Sequence, residues 1–185
     1  MKKTLTMVLA FALVFALGVG GTLAWLKDST QTITNTFTAS NITITLEETK
    51  PLNQTAKMVP GATNEKDPKT TVVTGSEECF LYVKVEKSEN YDKFLTFEVA
   101  DGWTEVEAGT NFMVYGREIK TADIGKAFSI IKGDEVKVNT SVTKEDMTKD
   151  FTEPTLKFTA YAVQSANLPA ENNTVETAWA LAKAN

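Results

Sequence analysis

The side chains that could perform chemistry in this chain are mainly carboxylates. The sequence holds 24 aspartates and glutamates, one cysteine and no histidine. Without histidine, neither a Ser-His-Asp arrangement nor a His-Glu-x-x-His zinc site can form. One cysteine cannot build a structural zinc cluster. The chemistry left open is that of paired carboxylates, which some hydrolases use as acid and base.

Three carboxylate pairs lie close together in the sequence, namely Glu77-Glu78, Glu105/Glu107 and Glu145-Asp146, and nothing in the sequence singles out any one of them. We interpret them as solvated turns or strand faces, where acidic side chains normally lie. Segments 64–67 and 132–135 offer oxygen ligands for calcium, but each also contains a lysine. We therefore predict no catalytic residue, no metal site and no cofactor, and the chain is not expected to be an enzyme.

Cys79 is the only thiol, so no intramolecular disulfide can form. It shares one face of a predicted strand with Leu81, Val83 and Val85. This pattern favours a buried, small apolar side chain. The alternative is an intermolecular disulfide or a reactive thiol.

The first 24 residues have the layout of a secretory signal peptide. A basic start, Lys2-Lys3, precedes an apolar run from Leu5 to about Val19 and a flank of small residues ending at Ala24. The run is shorter than the roughly 20 residues that a membrane-spanning helix needs. We predict cleavage between Ala24 and Trp25, and the alternative is an uncleaved membrane anchor.

Residues 25–39 are predicted to form an extended strand that begins the mature protein. Threonine recurs at every second position from Thr30 to Thr38. A period of two gives a strand with two distinct faces, and β-branched threonine favours strands. The opposite face carries Ile33, Asn35 and Phe37.

Residues 40–185 are predicted to form a single domain. Short apolar alternations are separated by turn-like Gly, Pro and Asp residues, which is typical of an antiparallel β-sandwich of jelly-roll type. The predicted strands are 42–46, 56–59, 70–74, 79–86, 93–99, 104–107, 111–115, 128–131, 136–142 and 155–164. The strands 128–131 and 136–142 are expected to pair as a hairpin around Gly133-Asp134.

Two short helices complete the predicted all-β fold. Thr143 could cap one turn over 144–149. The segment 173–176 resembles a capping box that opens a C-terminal helix over 175–183. Its packing stripe would be Val175, Ala178, Trp179 and Ala182.

The charge balance gives no sign of a nucleic-acid partner. The chain has 19 basic and 24 acidic side chains. Loss of Lys2 and Lys3 with the signal peptide would leave 17 basic against 24 acidic groups, a net charge of −7. No basic patch with interleaved aromatic residues appears.

Several motifs resemble the TasA and camelysin family of exported Gram-positive proteins, whose signal peptides are processed by a SipW-type signal peptidase. The resemblance is carried by 20–28, 35–42, 59–62, 76–84, 159–164 and 178–180. It implies a jelly-roll-like domain that is secreted to the cell surface or extracellular matrix and contacts the membrane only before cleavage. In the TasA branch, signal removal frees an N-terminal strand that completes the sheet of the next subunit.

The resemblance therefore implies a structural fibre subunit whose partner is a second copy of itself or a related matrix subunit. Residues 25–39 would be the donor strand, with Ile33, Asn35 and Phe37 as its buried side chains. The alternative for this strand is that it pairs within its own domain. The alternatives are a camelysin-like secreted metalloprotease and a monomeric surface adhesin or binding module. The absence of histidine argues against the protease.

Overall fold

The fold is all-β and antiparallel, as the sequence predicts. The computed structural model describes residues 41–49, 58–148 and 151–184. Within them, the strands are β1 Ile44–Glu47, β2 Thr63–Glu65, β3 Lys69–Val72, β4 Cys79–Lys87, β5 Leu95–Thr96, β6 Thr104–Gly109, β7 Phe112–Ile119, β8 Ala127–Ser129, β9 Glu135–Val138 and β10 Leu156–Gln164. The α-helices of the same residues are α1 Tyr91–Phe94 and α2 Val175–Ala182.

The largest sheet has the strand order β10-β4-β7-β6. Its central strand β4 is apolar on both faces, because Phe80 and Tyr82 alternate with Leu81 and Val83. All four side chains are buried. A strand that is apolar on both faces must be covered on both sides, so this sheet forms the middle layer of the domain.

One face of the middle sheet packs against two three-stranded sheets, ordered β1-β3-β8 and β2-β9-β5. Leu81 of β4 meets Val72 of β3 and Phe128 of β8. Further along β4, Val85 belongs to a cluster that includes Leu46 of β1. The odd-numbered face of β4 therefore lies in the core of the sandwich.

Helix α2 covers the other face of the middle sheet. Ala178, Trp179 and Ala182 are buried against Phe80 and Tyr82. The helix begins with a capping box, in which Thr174 and Thr177 exchange side-chain and backbone hydrogen bonds. The predicted C-terminal helix and its packing stripe are thus confirmed, with Val175 half-buried at its start.

The predicted hairpin over 128–142 is wrong. Strand β8 pairs with β3, whereas β9 pairs with β2 and β5. Between them, residues 132–134 form a 3-10 turn, and Gly133 adopts a φ of 70°. The predicted turn at Gly133-Asp134 is present. It connects β8 of one sheet to β9 of a different sheet, so the two strands do not pair.

The predicted strand over 93–99 is also mostly wrong. Residues 91–94 form α1, and the strand that follows has two residues, Leu95 and Thr96. Tyr91 and Phe94 are buried on α1. Their spacing of three fits a helical turn better than a strand.

Two smaller predictions have mixed outcomes. The turn after Thr143 is confirmed as a 3-10 helix over Glu145–Met147, where the Asp146 N–H donates to Thr143 Oγ1 at 3.3 Å. The extended piece 56–59 is not seen at 58–59, and positions 56 and 57 lie outside the described residues. A short strand forms instead at β2.

Candidate assembly surface

The carboxylates of Glu77 and Glu78 point to different structural partners. Glu78 Oε1 accepts from the N–H and the hydroxyl of Thr121, at 2.8 Å and 2.7 Å. These bonds hold the pKa of Glu78 below its usual value. Glu77 accepts from the side-chain amide of Gln164 at the end of β10. The pair joins loops and strands and does not form an acid–base couple.

One member of each of the other two acidic pairs, Glu107 and Asp146, is also bound to structural partners. Glu107 accepts from the indole N–H of Trp179 and from the Lys183 ammonium, and both bonds lower its pKa. Asp146 accepts from Lys93 and from Thr143, and these bonds lower its pKa well below the ordinary range. The carboxylates of Glu107 and Asp146 are therefore ionised at neutral pH and held in place by their partners.

The two segments considered for calcium come together in space. The Lys66 N–H donates to the Asp134 carbonyl at 2.8 Å, so segments 64–67 and 132–135 are neighbours. Lys69 Nζ lies between their carboxylates, 3.1 Å from Asp134 and 3.6 Å from Asp67. The hydrogen bond to Asp134 raises the pKa of Lys69. A protein ammonium thus occupies the position that a cation would take.

Cys79 is fully buried in the sandwich core, as predicted. It packs with Val72, Leu81 and Ile119. Burial raises the pKa of its thiol to about 12. A thiol with so little thiolate at neutral pH is a poor nucleophile.

Sequence reasoning missed the arrangement around Arg117. Its guanidinium carbon lies 3.7 Å from the ring centre of Phe128 and 5.2 Å from that of Trp103. Arg117 belongs to β7 on the same strand face as buried Tyr115 and Ile119. Its Nε is buried without a hydrogen-bond partner, and burial lowers its pKa. The guanidinium thus packs against aromatic rings from β8 and from the segment before β6. In the sequence, the only signal for this contact is an arginine on an otherwise apolar strand face.

The start of the described chain is fixed beside the turn between β3 and β4. Asn41 Nδ2 donates to the Gly75 carbonyl at 3.1 Å, and the Asn41 carbonyl accepts from the Glu77 N–H at 3.2 Å. The Thr43 N–H donates to Ser76 Oγ at 3.0 Å. Asn41 therefore lies at the end of the sandwich where Glu77 contacts Gln164.

Comparison with known proteins gives one match. Residues 1–76 match the family described as camelysin metallo-endopeptidase. The resemblance to the camelysin family is confirmed over these residues. No curated protein and no solved structure matches the chain.

The metallo-endopeptidase description of the camelysin family implies a metal site. Within 41–49, 58–148 and 151–184, no three His, Cys, Asp or Glu side chains lie close enough to hold a metal ion. The chain has no histidine, and the carboxylates of Glu77, Glu78, Glu107 and Asp146 are bound to Lys, Thr, Trp or Gln partners. These residues do not fit a hydrolytic zinc site, which uses histidine among its ligands.

The remaining predicted site residues lie outside the described part of the camelysin-like chain. They are Ala24 and Trp25 at the predicted cleavage point, and Ile33, Asn35 and Phe37 of the predicted donor strand. Among the residues that the structure describes, no helix is long and apolar enough to cross a membrane.

Proposed function

We propose that this chain is an exported structural subunit of a cell-surface or matrix fibre. After cleavage between Ala24 and Trp25, residues 25–39 would act as a donor strand that adds to the sheet of another copy. Strand addition gains main-chain hydrogen bonds, and alternate side chains fill pockets in the acceptor. Ile33, Asn35 and Phe37 would face the acceptor, and the threonine face would lie opposite.

The observation that carries this proposal is the anchoring of Asn41. Four hydrogen bonds fix positions 41–43 to the turn residues Gly75, Ser76 and Glu77. Position 41, to which the proposed donor strand is joined in sequence, is therefore held at a defined point at one end of the sandwich. A strand that leaves one copy and enters the next makes a head-to-tail contact that does not close, which builds a filament.

Export is part of the same proposal. It is supported by the signal-like layout of residues 1–24 and by the camelysin-family match over 1–76. While the signal peptide is attached, the donor strand would be tethered at the membrane, so assembly would begin only after cleavage. A SipW-type signal peptidase would make the cut.

The test compares purified protein covering residues 25–185 with protein covering 40–185. Light scattering and negative-stain microscopy would follow particle size over days, and circular dichroism would check the fold of both. Filaments from the longer protein only, with both folded, support the proposal. Two folded, stable monomers would instead support a monomeric surface adhesin or binding module.

The metallo-endopeptidase alternative rests on the name of the matching family. It predicts hydrolysis of an unfolded protein substrate that a metal chelator abolishes. We expect no chelator-sensitive hydrolysis, because no three potential ligand side chains among the described residues lie close enough together to hold a metal ion. Cleavage that is restored by added zinc would overturn this expectation.

A further inference from the structure

We propose that the guanidinium of Arg117 binds the carboxylate group of a small monocarboxylic acid. Among the 19 basic side chains of the sequence, Arg117 is the only arginine. It lies on β7, and its aromatic neighbours are Trp103, just before β6, and Phe128 of β8. Strands β6 and β8 are edge strands of two different sheets, so the site lies at an edge of the sandwich. It does not depend on the proposed fibre function, because no residue of 25–39 takes part.

Two aromatic rings hold the guanidinium of Arg117 in place. Its central carbon lies 3.7 Å from the ring centre of Phe128 and 5.2 Å from that of Trp103. The Trp103 ring is itself fixed, because its indole N–H donates to the Ser129 carbonyl at 2.8 Å. A guanidinium that stacks on aromatic rings keeps its planar fork of N–H donors for a further partner. The rings therefore orient the donors of Arg117 without using them.

The donors of Arg117 have no acceptor among the described residues. A guanidinium has five N–H donors and no acceptor atom, and the buried Nε of Arg117 has no hydrogen-bond partner. Within 41–49, 58–148 and 151–184, lysines make the ion pairs. The carboxylate of Asp123 acts on Arg117 electrostatically but is bonded to Lys126 at 3.0 Å. Partly buried charged donors without an acceptor are costly, so an added carboxylate would be stabilised here.

The turn before Trp103 gives access to the end of the Arg117 side chain. Asp101 and Gly102 are both exposed. A Cβ atom at Gly102 would lie 3.4 Å from Arg117 Nη2, so Nη2 is next to this exposed turn and glycine leaves it uncrowded. Because Nε is buried, we place the ligand at Nη1 and Nη2. Two parallel N–H···O bonds from these atoms match the two oxygens of one carboxylate.

The charges around the site favour a single carboxylate over other anions. Phosphate also fits the guanidinium fork, but it carries more negative charge. Asp123 acts on Arg117, and Glu105 pairs with Tyr115, two residues before Arg117. The whole chain has a net charge of −5. Repulsion grows with the charge of the ligand, so these groups penalise phosphate and acidic polymers more than a small monocarboxylate.

The single arginine makes binding directly measurable. The Nε–H of Arg117 gives one side-chain signal of its kind in a nitrogen–proton correlation NMR spectrum, because the sequence has no other arginine. Protein covering residues 25–185, kept monomeric as checked by light scattering, would be titrated with sodium acetate at constant pH, with sodium chloride holding the ionic strength constant. We expect a saturable shift with a Kd on the order of a few millimolar. No saturable shift, or the same response in urea, would overturn the proposal.

Two further measurements test the chemical class of the ligand. Inorganic phosphate should bind more weakly than acetate, and tighter phosphate binding would contradict the carboxylate assignment. Arg117→Lys keeps the charge but lacks the planar fork. In this variant acetate should no longer shift the indole N–H signal of Trp103, and an unchanged Trp103 response would contradict the role of Arg117. If Arg117→Lys does not fold, the titration of the unmodified protein still decides.

A pair of aspartate variants tests the electrostatic part of the proposal. Asp123→Asn removes the carboxylate that acts on Arg117 and should tighten acetate binding by about twofold to fivefold. Asp92→Asn is the matched control with the same change in charge. Asp92 is bonded to Lys87, at the far end of β4 from Leu81, the residue that pairs with Arg117. Asp92→Asn should leave the Kd unchanged, and equal effects of the two variants would contradict a site at Arg117.

Discussion

Trp179 donates its indole N–H to the carboxylate of Glu107, a residue 72 positions earlier in the chain. The tryptophan ring is buried between Tyr82 at 5.1 Å and Tyr161 at 5.4 Å, measured between ring centres. The bond fixes α2 to the edge strand β6. It also directs the polar atom of a core side chain toward a surface carboxylate, which buried tryptophans usually require.

The Glu107 bond predicts a pH-dependent loss of stability. The pKa of Glu107 is lowered by the Trp179 bond first and then by Lys183. A lowered folded-state pKa contributes stability that is fully present above the ordinary value of 4.5 and is lost as the pH falls through the folded-state pKa. We expect Glu107→Gln to lower the Tm near neutral pH, with the gap from the parent narrowing toward about pH 3.

Thermal unfolding at a series of pH values would measure this gap. Other carboxylates with lowered pKa values, such as Glu78 and Asp146, titrate equally in parent and variant. The difference between the two curves therefore isolates Glu107. A gap that stays constant with pH would show that the ionised carboxylate is not what stabilises α2.

Gly116 is predicted to be intolerant of any side chain. A Cβ atom at this position would lie 2.6 Å from Val175 Cγ1 and 2.7 Å from the Tyr82 ring. Since both are held in the cluster under α2, Gly116→Ala should reduce the free energy of unfolding by about 1–3 kcal/mol in urea titrations.

A double variant gives the control for Gly116. Adding Val175→Ala removes one of the two clashing groups, so the double variant should lose less than the sum of the single losses. Strict additivity, or no loss for Gly116→Ala alone, would mean that α2 does not approach β7 as closely as described.

The two longest strands were predictable from the sequence. Strand β4 agrees with its predicted segment within one residue, and so does β10. In β10 apolar side chains recur at every second position, whereas β4 is a short, nearly continuous apolar run that is typical of a strand covered on both faces. The C-terminal helix was equally predictable, because the threonine cap and the spacing of the buried alanines and tryptophan both indicate a helix that begins at Val175.

Pairing between strands could not be predicted in the same way. The turn residues Gly133 and Asp134 both have positive φ values, of 70° and 57°, and such a turn is common in hairpins. Here β9 finds its partners in β2 and β5, which are too short to show a period. The Arg117 stack and the Lys69 ion pairs depend on contacts between distant segments, so local sequence carries no signal for them.

Cys79 is predicted to be unreactive in the folded protein. Full burial and the raised pKa of about 12 leave little thiolate at neutral pH. A thiol reagent should therefore label Cys79 slowly in buffer and rapidly in denaturant. Fast labelling of the native protein, or a disulfide-linked dimer on non-reducing gels, would favour the alternative of an intermolecular or reactive thiol.

The most direct test of the fibre account changes the two faces of the donor segment separately in the mature protein. One variant carries Ile33→Asp and Phe37→Asp, and its matched control carries Thr32→Asp and Thr36→Asp, with the same added charge on the opposite face. Light scattering would measure filament growth in each. The account predicts that the first variant stays monomeric while the control still grows filaments. Equal growth of both variants, or a parent protein that never leaves the monomer state, would contradict it.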